Sequence, residues 1–306
     1  MTNLQPYRIK TITEYHRLTG LPKPEHPSIS VINIESFKPP ISYEPLSLVF
    51  DFYSISLKRD FAAKFKYGQR EYDFDEGVMF FMSPGQVFGV EFEKGATERP
   101  TGWMILVHPD FLWNTLLAKT IKQYGYFSYA VNEALHLSEK EEATITSIAQ
   151  NIEQEYRSNI DKFSQDVMVS QIELLLNYSN RFYNRQFITR KRASNDLLVK
   201  LEDLLIEYFD RQNDSQSGLP TVKYISDKLN VSPNYLSDML RTLTGQNTQQ
   251  HIHNKLIEKA KEALTTTSLS VGEIAYRLGF EHPQSFNKLF KNKTEQSPLE
   301  FRNSFH

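Results

Sequence analysis

Two stretches near the end of the chain share an arrangement of residues that suits recognition of duplex DNA. The first covers 221–245 and the second covers 270–291. In each, a short amphipathic helix pattern leads through a turn into a second helix pattern that opens with proline, Pro233 or Pro283. This is the pattern of a helix-turn-helix unit, whose second helix can lie in the major groove. Two units about fifty residues apart predict a reader of two successive groove segments.

The elements that position these helices are visible in the sequence. Ser232 is expected to cap the second helix of the first unit, and Gly245 to end it in a left-handed conformation. In the second unit, Ser270 and Glu273 form a capping box, and Gly279 permits a tight turn. The predicted core residues are Ile225, Leu229, Tyr235, Leu236 and Leu240, then Ile274, Leu278, Phe280, Phe286 and Phe290.

The charge of the chain favours nucleic acid only locally. The 306 residues have a net charge of −2, whereas residues 220–306 hold eleven Lys and Arg against eight Asp and Glu, a net charge of +3. Residues 181–192 add five basic residues and no acid. Local charge matters because phosphate contacts act within a Debye length of about 8 Å. An ordinary solvated surface can also carry +3, so charge alone leaves the question open.

The first half of the chain has the texture of short β-strands. Residues 1–45 are rich in proline and predict an arm with one strand at 29–34. The turn signal Ser83-Pro-Gly85 suits a type II turn. Further predicted strands cover 46–57, 61–67, 77–82, 86–92 and 102–108. Strands this close together, without helices between them, predict an antiparallel barrel or sandwich.

Helix patterns follow the predicted strands. A capping box at Ser138 precedes Ile145, Ile148, Ile152 and Tyr156, which share one helix face. A longer helix at 163–187 is more apolar than one buried stripe requires. Either these helices cover the barrel, or the longer one packs against a second copy of the chain, with Leu175 and Leu176 in the interface. A basic linker at 188–195 and a helix at 197–209 complete the pattern.

Residues 197–306 resemble the DNA-binding region of AraC/XylS-type bacterial transcription regulators. The matching segments are Ser232-Pro-Asn-Tyr-Leu-Ser237, Thr244-Gly245, Glu258-Lys-Ala-Lys261, Glu273-Ile-Ala275, Gly279-Phe280, Ser285-Phe286, Phe290-Lys291, Ser297-Pro298 and Phe301-Arg302. The rest of the chain is similar only in outline to the family's usual partner domain, a cupin-like β-barrel followed by helices.

Three residues depart from the family pattern. Leu256 stands where arginine is frequent, which argues against a salt bridge there. Glu295 replaces a glycine, so the turn after the last recognition helix is expected to differ. Asp238 places an acid on the exposed face of the first recognition helix, where it either accepts a hydrogen bond from cytosine N4 or leaves the first unit to read DNA loosely.

The resemblance implies which residues contact DNA. Asn and Gln can bind adenine through two hydrogen bonds, and Lys can donate to guanine. Arg241, Lys291 and Lys293 would hold phosphates. The residues implied to face the bases are Asn234, Ser237 and Asp238 in the first unit and Gln284, Asn287 and Lys288 in the second.

An enzyme built on the barrel is the alternative class. Cupin enzymes hold a metal with several His and a carboxylate on strands. Here His108 is the only histidine on a predicted strand, and the chain has no cysteine. Asp73, Asp75 and Glu76 suit calcium or magnesium at most and are interpreted as a solvated acidic turn. We expect no catalytic residues, no metal and no cofactor.

The predicted fold class is α+β, with two domains. Residues 1–190 form a cupin-like sensor and dimerisation domain, with an antiparallel barrel at about 29–110 and helices at about 138–187. Residues 191–306 form an all-α domain with two helix-turn-helix units. Aromatic residues of the first half either fill the core or line a barrel pocket for a small organic effector.

The predicted function is sequence-specific regulation of transcription in the cytoplasm, more in the manner of an activator than a repressor. The expected partners are double-stranded DNA, a second copy of the chain and, by resemblance, RNA polymerase. No apolar run reaches the roughly 18 residues of a membrane span. The alternatives are a metal-dependent cupin enzyme fused to a DNA-binding domain and a ligand-independent regulator whose barrel only dimerises.

Overall fold

The computed structural model describes residues 6–37, 46–59, 66–67, 70–71, 77–90, 101–130, 133–158, 161–211 and 218–304. The chain divides into two units, Met1–Gln186 and Phe187–His306. The first unit mixes sheet and helix, and the second is helical. Of the described helices, none is both long and apolar enough to cross a membrane.

The described strands all belong to the first unit. They are β1 (Tyr7–Ile9), β2 (Ile29–Asn33), β3 (Leu46–Phe50), β4 (Tyr53–Arg59), β5 (Lys66–Tyr67), β6 (Arg70–Glu71), β7 (Val78–Met82), β8 (Val87–Val90), β9 (Thr101–Val107) and β10 (Leu135–His136). The sheet orders are β1-β3-β8, β10-β7-β4-β9-β2 and β5-β6. Pairing is antiparallel except between β1 and β3. Within the described residues these sheets stay open, so the predicted closed barrel is not shown.

The two larger sheets share one apolar core. Ile9 and Phe50 of the three-stranded sheet pack in one cluster with Ile32 and Leu106 of the five-stranded sheet. Strand side chains alternate between faces. The five-stranded sheet therefore turns this face towards the smaller sheet and leaves its other face for helices.

The helices of the first unit pack against both faces of the five-stranded sheet. They are α1 (Ile12–Thr19), α2 (Leu117–Thr120), α3 (Glu139–Arg157) and α4 (Ser164–Thr189), with 3₁₀ helices at Ile34–Ser36, Pro109–Leu112, Ile121–Gln123 and Gly125–Ser128. Tyr126 packs against Phe81 of β7 and stacks on Tyr183 of α4, with ring centroids 4.5 and 5.3 Å apart. As predicted, Ile145, Ile148, Ile152 and Tyr156 of α3 are buried.

The amino-terminal segment is more ordered than an arm. Thr11 caps α1 by accepting a hydrogen bond from the N–H of Glu14, and Gly20 ends the helix with φ 69°. Ile12 and Tyr15 of α1 are buried in the shared core. The predicted strand at 29–34 is confirmed as β2. The expectation that the rest of this segment is an arm is wrong, because β1 and this short amphipathic helix complete the core.

The predicted linker and dimer contacts also need correction. The basic stretch at 188–195 is not a linker, since α4 runs to Thr189 and the next helix begins at Lys191. Leu175 and Leu176 are fully buried. They belong to the core of this chain and are not available to a second copy. The apolar residues that α4 does expose include Val167 and Leu174.

Two smaller predictions concern turns after strands. Gly85 has φ 82°, and the N–H of Gln86 donates to the carbonyl of Ser83, which agrees with the predicted type II turn. His108 follows β9 instead of lying within it, and its Nδ1 accepts from the N–H of Asp110 at the start of a 3₁₀ helix. The predicted acidic turn at 73–76 lies outside the described residues.

The second unit is built from α5 to α11. These helices are α5 (Lys191–Arg211), α6 (Val222–Leu229), α7 (Pro233–Thr244), α8 (Thr248–Thr266), α9 (Val271–Arg277), α10 (Pro283–Thr294) and α11 (Pro298–Asn303). The long helix α8 packs against α5, α7, α9 and α11. It therefore links the α6–α7 pair to the α9–α10 pair.

Candidate nucleic-acid interface

The first helix pair has the two predicted caps, Ser232 and Gly245, and two further caps at α6. Thr221 accepts from the N–H of Tyr224 at the start of α6, and Asn230 ends that helix with φ 56°. Ser232 accepts from the N–H of Tyr235 at the start of α7, where Pro233 needs no N–H partner. Gly245 ends α7 with φ 76°, as predicted. The turn between the two helices is thus defined at both ends by local hydrogen bonds.

The second helix pair has a longer turn, at 278–282, than the first pair has at 230–232. Hydrogen bonds from the Ser270 side chain, and then from its backbone N–H, lower the pKa of Glu273. Gly279 has φ 91°, and a Cβ there would lie 2.7 Å from the backbone carbon of Gly218. Glycine is therefore required for the left-handed turn and for the close approach of the 218–219 backbone. Pro283 opens α10.

Each second helix presents one polar face. The predicted contact residues stand at the same positions in both helices, with spacing i, i+3, i+4 and i+7, which places them along one face. The opposite faces are buried through Leu236 and Leu240 in α7 and through Phe286 and Phe290 in α10. The contact positions are Asn234, Ser237, Asp238 and Arg241 in α7 and Gln284, Asn287, Lys288 and Lys291 in α10.

In α7 the polar face is partly engaged within the protein. The hydroxyl of Ser237 lies 2.9 Å from that of Thr248, at the start of α8. Arg241 donates to Asp238 at 2.9 Å, and the two side chains are 58% and 32% exposed. Asn234 is exposed. The acid at Asp238 thus neutralises the only basic residue of this helix.

In α10 the corresponding face is exposed and positive. Gln284, Asn287, Lys288 and Lys291 are all exposed. Their side chains make no hydrogen bond or ion pair within the part of the chain that the structure describes. Together with Lys293, the helix carries three lysines and no acid. Amides and ammonium groups presented this way can donate to base edges and phosphates.

Comparison with known proteins places the region in a family. A family model described as a helix-turn-helix domain matches residues 225–304. The regulatory protein SoxS of Salmonella typhimurium is 30% identical over 98 residues, which are 32% of this chain and 89% of SoxS. The chain belongs to the AraC/XylS family of transcription regulators.

Two further relatives match a longer part of the chain. The transcriptional activator RhaS of Escherichia coli is 28% identical over 156 residues, 51% of each chain. The regulator YijO of Escherichia coli K12, described as uncharacterised, is 27% identical over 132 residues, 43% of this chain and 44% of YijO. The chain thus spans about half the length of these two relatives.

Two departures from the AraC/XylS pattern are now explained. Leu256 is fully buried in α8, so it makes an apolar contact at the position where arginine is frequent in the family. This agrees with the expectation that no salt bridge forms there. Glu295 ends α10 with φ 64° and ψ 1°, close to the φ 76° and ψ 0° of Gly245. The expectation that this turn differs is wrong, because Glu295 adopts the left-handed conformation despite its Cβ.

Lys293 differs from the other lysines of this AraC/XylS family member. Its Nζ donates to Oδ1 of Asn254 in α8 at 3.1 Å, and Asn254 in turn donates to Gln246. Burial, and then the charge of Lys293, lower the pKa of His253. Lys293 therefore connects the end of α10 to α8 as well as presenting a charge.

Two interactions of basic residues were missed in the sequence. Arg302 donates to the carbonyls of Leu264 and Leu269, at 3.1 and 2.6 Å, and so satisfies the end of α8 and the segment after it. In the first unit, Arg185 binds the Glu141 carboxylate and the carbonyl of His136, which removes it from the basic stretch. No local signal shows these pairings, because the partners lie far apart in sequence.

Proposed function

We propose that this chain is a sequence-specific regulator of transcription that binds duplex DNA through α7 and α10. The observation that carries the proposal is the exposed face of α10. Amide and lysine side chains lie along this face, and the apolar residues on the opposite face of the helix are fully buried. The AraC/XylS family membership supports the same function. Such a protein would act on chromosomal DNA in the cytoplasm.

The proposed contacts fall into two classes. Gln284, Asn287 and Lys288 read base edges, since they stand at the start and centre of α10 and are exposed. Lys291 and Lys293 hold phosphates. In α7 the same classes are Asn234, Ser237 and Asp238 for bases and Arg241 for phosphate. Because Asp238 already binds Arg241, the first unit contributes less affinity than the second.

Capture of genomic fragments tests this function. Full-length protein is mixed with sheared DNA of its own host, and retained fragments are sequenced, beside a variant carrying Gln284→Ala, Asn287→Ala and Lys288→Ala. We expect the unaltered protein to enrich fragments with a shared motif and the variant to lose that enrichment. Retention of no duplex, or equal enrichment by the variant, would contradict the proposal.

For the first unit we infer a sensor and dimerisation domain, with residues 1–190 and 191–306 as the functional halves. The shared core of the two larger sheets supports a cupin-like barrel. The name of RhaS supports activation, and with it contact with RNA polymerase. We assign no catalytic role to this unit.

Dimerisation is proposed to use the exposed side of α4. Phe163, just before the helix, and Val167 and Leu174 within it are exposed. Their spacing of four and seven residues places them on one face. Val167→Glu with Leu174→Glu should therefore give a folded monomer, whereas Asn180→Glu, at an exposed position on another side of α4, should leave the dimer intact. Sedimentation decides, and an unaltered protein that is monomeric would contradict this assignment.

A further inference from the structure

A cavity of about 190 Å³ lies in the first unit between the edge of the five-stranded sheet and helix α3. Its lining includes Val31 of β2, Trp103 of β9, and Thr146 and Gln150 of α3. A neighbouring hollow shares Thr146 and Gln150 and extends towards the start of α3. A cavity of roughly 150 Å³ is enough to hold benzene. The space therefore suits a small organic molecule.

The register of the sheet separates this cavity from the core between the two sheets. Trp103 pairs with Asn33 of β2 and with Leu57 of β4. Its neighbour in β9, Met104, belongs to the shared core on the opposite face. Gly102 has φ 127°, and a Cβ there would lie 2.1 Å from the Leu57 carbonyl oxygen. Glycine thus allows β9 to run close against β4 immediately before Trp103.

Two neutral polar atoms at this cavity are buried without a partner. Trp103 is 9% exposed. Neither its indole Nε1 nor the Thr146 hydroxyl has a hydrogen-bond partner among the described residues. Leaving a buried donor unsatisfied is costly, so such groups are normally bonded to protein, water or ligand. The residues that carry these atoms, Trp103 on a strand and Thr146 on a helix, line the same space.

The charged groups around the cavity are largely paired within the protein. Arg59 binds Oε1 of Glu142, whose Oε2 accepts from the N–H of Gly77 at 2.8 Å. Glu153 binds Arg157 at 2.8 Å. Glu35 is exposed to solvent. An anionic ligand would find the lining cation Arg59 already paired with Glu142, whereas a neutral ligand with an oxygen atom would have two unsatisfied neutral groups available as partners.

We propose that this cavity binds a small uncharged organic molecule whose oxygen accepts a hydrogen bond from Trp103 and whose polar group bonds Thr146. Val31 and Ala149 supply apolar contact. Binding at this site does not depend on the proposed DNA-binding function. Only its use as an effector site does.

The two tryptophans of the chain give a direct readout. Trp103 lines the cavity, while Trp113 is 71% exposed, and the chain has 2 Trp in all. Full-length protein with ¹⁵N-labelled tryptophan therefore yields two indole N–H signals, which Trp103→Phe assigns. Benzyl alcohol, cyclohexanone and 2-pyrrolidone serve as neutral probes. Benzoate and benzylamine are the charged counterparts.

We expect at least one neutral probe to shift the Trp103 signal saturably and to leave Trp113 unchanged. Thr146→Val, which removes only the hydroxyl, should weaken that binding about two- to tenfold. Thr146→Ser keeps the hydroxyl and should retain it. The Trp113 signal and the thermal unfolding midpoint report whether each variant is folded.

Three results would overturn the proposal. They are no shift of Trp103 with any neutral probe, equal binding of the charged counterparts, and unchanged affinity in folded Thr146→Val. If binding holds, DNA affinity measured with and without the probe tests the effector role. A change supports that role. If the protein binds DNA and the probe does not change its DNA affinity, only the effector role is rejected. If the protein binds no DNA, the proposed function fails, but the ligand site is still supported.

Discussion

Helices α7 and α10 correspond position by position at an offset of fifty residues, yet they present different chemistry on their exposed faces. Both begin with proline at the first helical position, Pro233 and Pro283. Thr244 donates to the carbonyl of Leu240, and Thr294 donates to that of Phe290, four residues earlier in each helix. The two helices are therefore alike in their first residue, in their buried face and in the hydrogen bond of their last turn.

The difference lies on the face that the fold leaves free. Asp238 corresponds to Lys288, and α7 has no net charge whereas α10 carries three lysines and no acid. Buried residues are constrained by packing, but exposed residues are not. The two helices therefore share one scaffold, but the exposed face of α7 is neutral and that of α10 is positive. We expect the positive one to supply most of the affinity for DNA.

The largest expected effect is a loss of sequence preference when a base-contacting residue of α10 is replaced. Lys288→Ala removes an exposed donor and should cost about 1–3 kcal/mol at one base position. Competition binding with single-base variants of a captured fragment measures it. Equal weakening on every sequence would show that Lys288 holds a phosphate instead.

A second difference between the helices is the residue that ends them. Glu295→Gly should raise the free energy of unfolding by about 1 kcal/mol, because glycine adopts the left-handed conformation without a Cβ penalty. Gly245→Glu is the mirror substitution and should lower it by a similar amount. Urea unfolding measures both. A destabilised Glu295→Gly would mean that the Glu295 side chain contributes more than its backbone costs.

Removing the acid of α7 should make its exposed face more like that of α10. Asp238→Asn frees Arg241 for phosphate and should tighten binding to all sequences by about 0.5–1 kcal/mol, the scale of an exposed ion pair. The slope of log affinity against log salt should steepen by about 1. Weaker binding, confined to sites with a cytosine at one position, would instead show that Asp238 reads that base.

The smallest effect is expected at Lys293. Because its ammonium group bonds to Asn254, Lys293→Ala should weaken all sequences alike, and by less than Lys288→Ala does. The salt slope should fall by at most about 1. A change of sequence preference would place Lys293 in the base-reading class.

Features fixed by neighbouring residues could be predicted from the sequence. The capping residues, the buried faces of α7 and α10 and the turn at Gly279 follow from local patterns, and the structure confirms them. The conformation of Glu295 could not be predicted, because the residue type sets only a preference against the left-handed conformation and does not exclude it. Helix α1 was missed because eight residues in a proline-rich stretch give a weak periodic signal.

Features fixed by distant residues were beyond the sequence. The burial of Leu175 and Leu176 depends on what covers α4, and apolar content alone does not distinguish a core from an interface. Lys293 and Asn254 are 39 residues apart. By contrast, the pairing of Asp238 with Arg241 joins residues three apart on one helix and was open to prediction.

The salt dependence of DNA affinity in a matched pair of variants tests the central claim most directly. Lys288→Ala with Lys291→Ala removes two charges from the face of α10, and Lys223→Ala with Lys228→Ala removes two from α6, away from both proposed reading faces. Binding of the full-length protein to a captured genomic fragment is compared with binding to scrambled duplex. We predict that the first pair of substitutions lowers the slope of log affinity against log salt by up to about 2 and abolishes the preference for the captured fragment. The second pair should change neither quantity appreciably. Equal behaviour of the two pairs, or an affinity that does not depend on salt, would contradict the claim that α10 is the main DNA-reading helix.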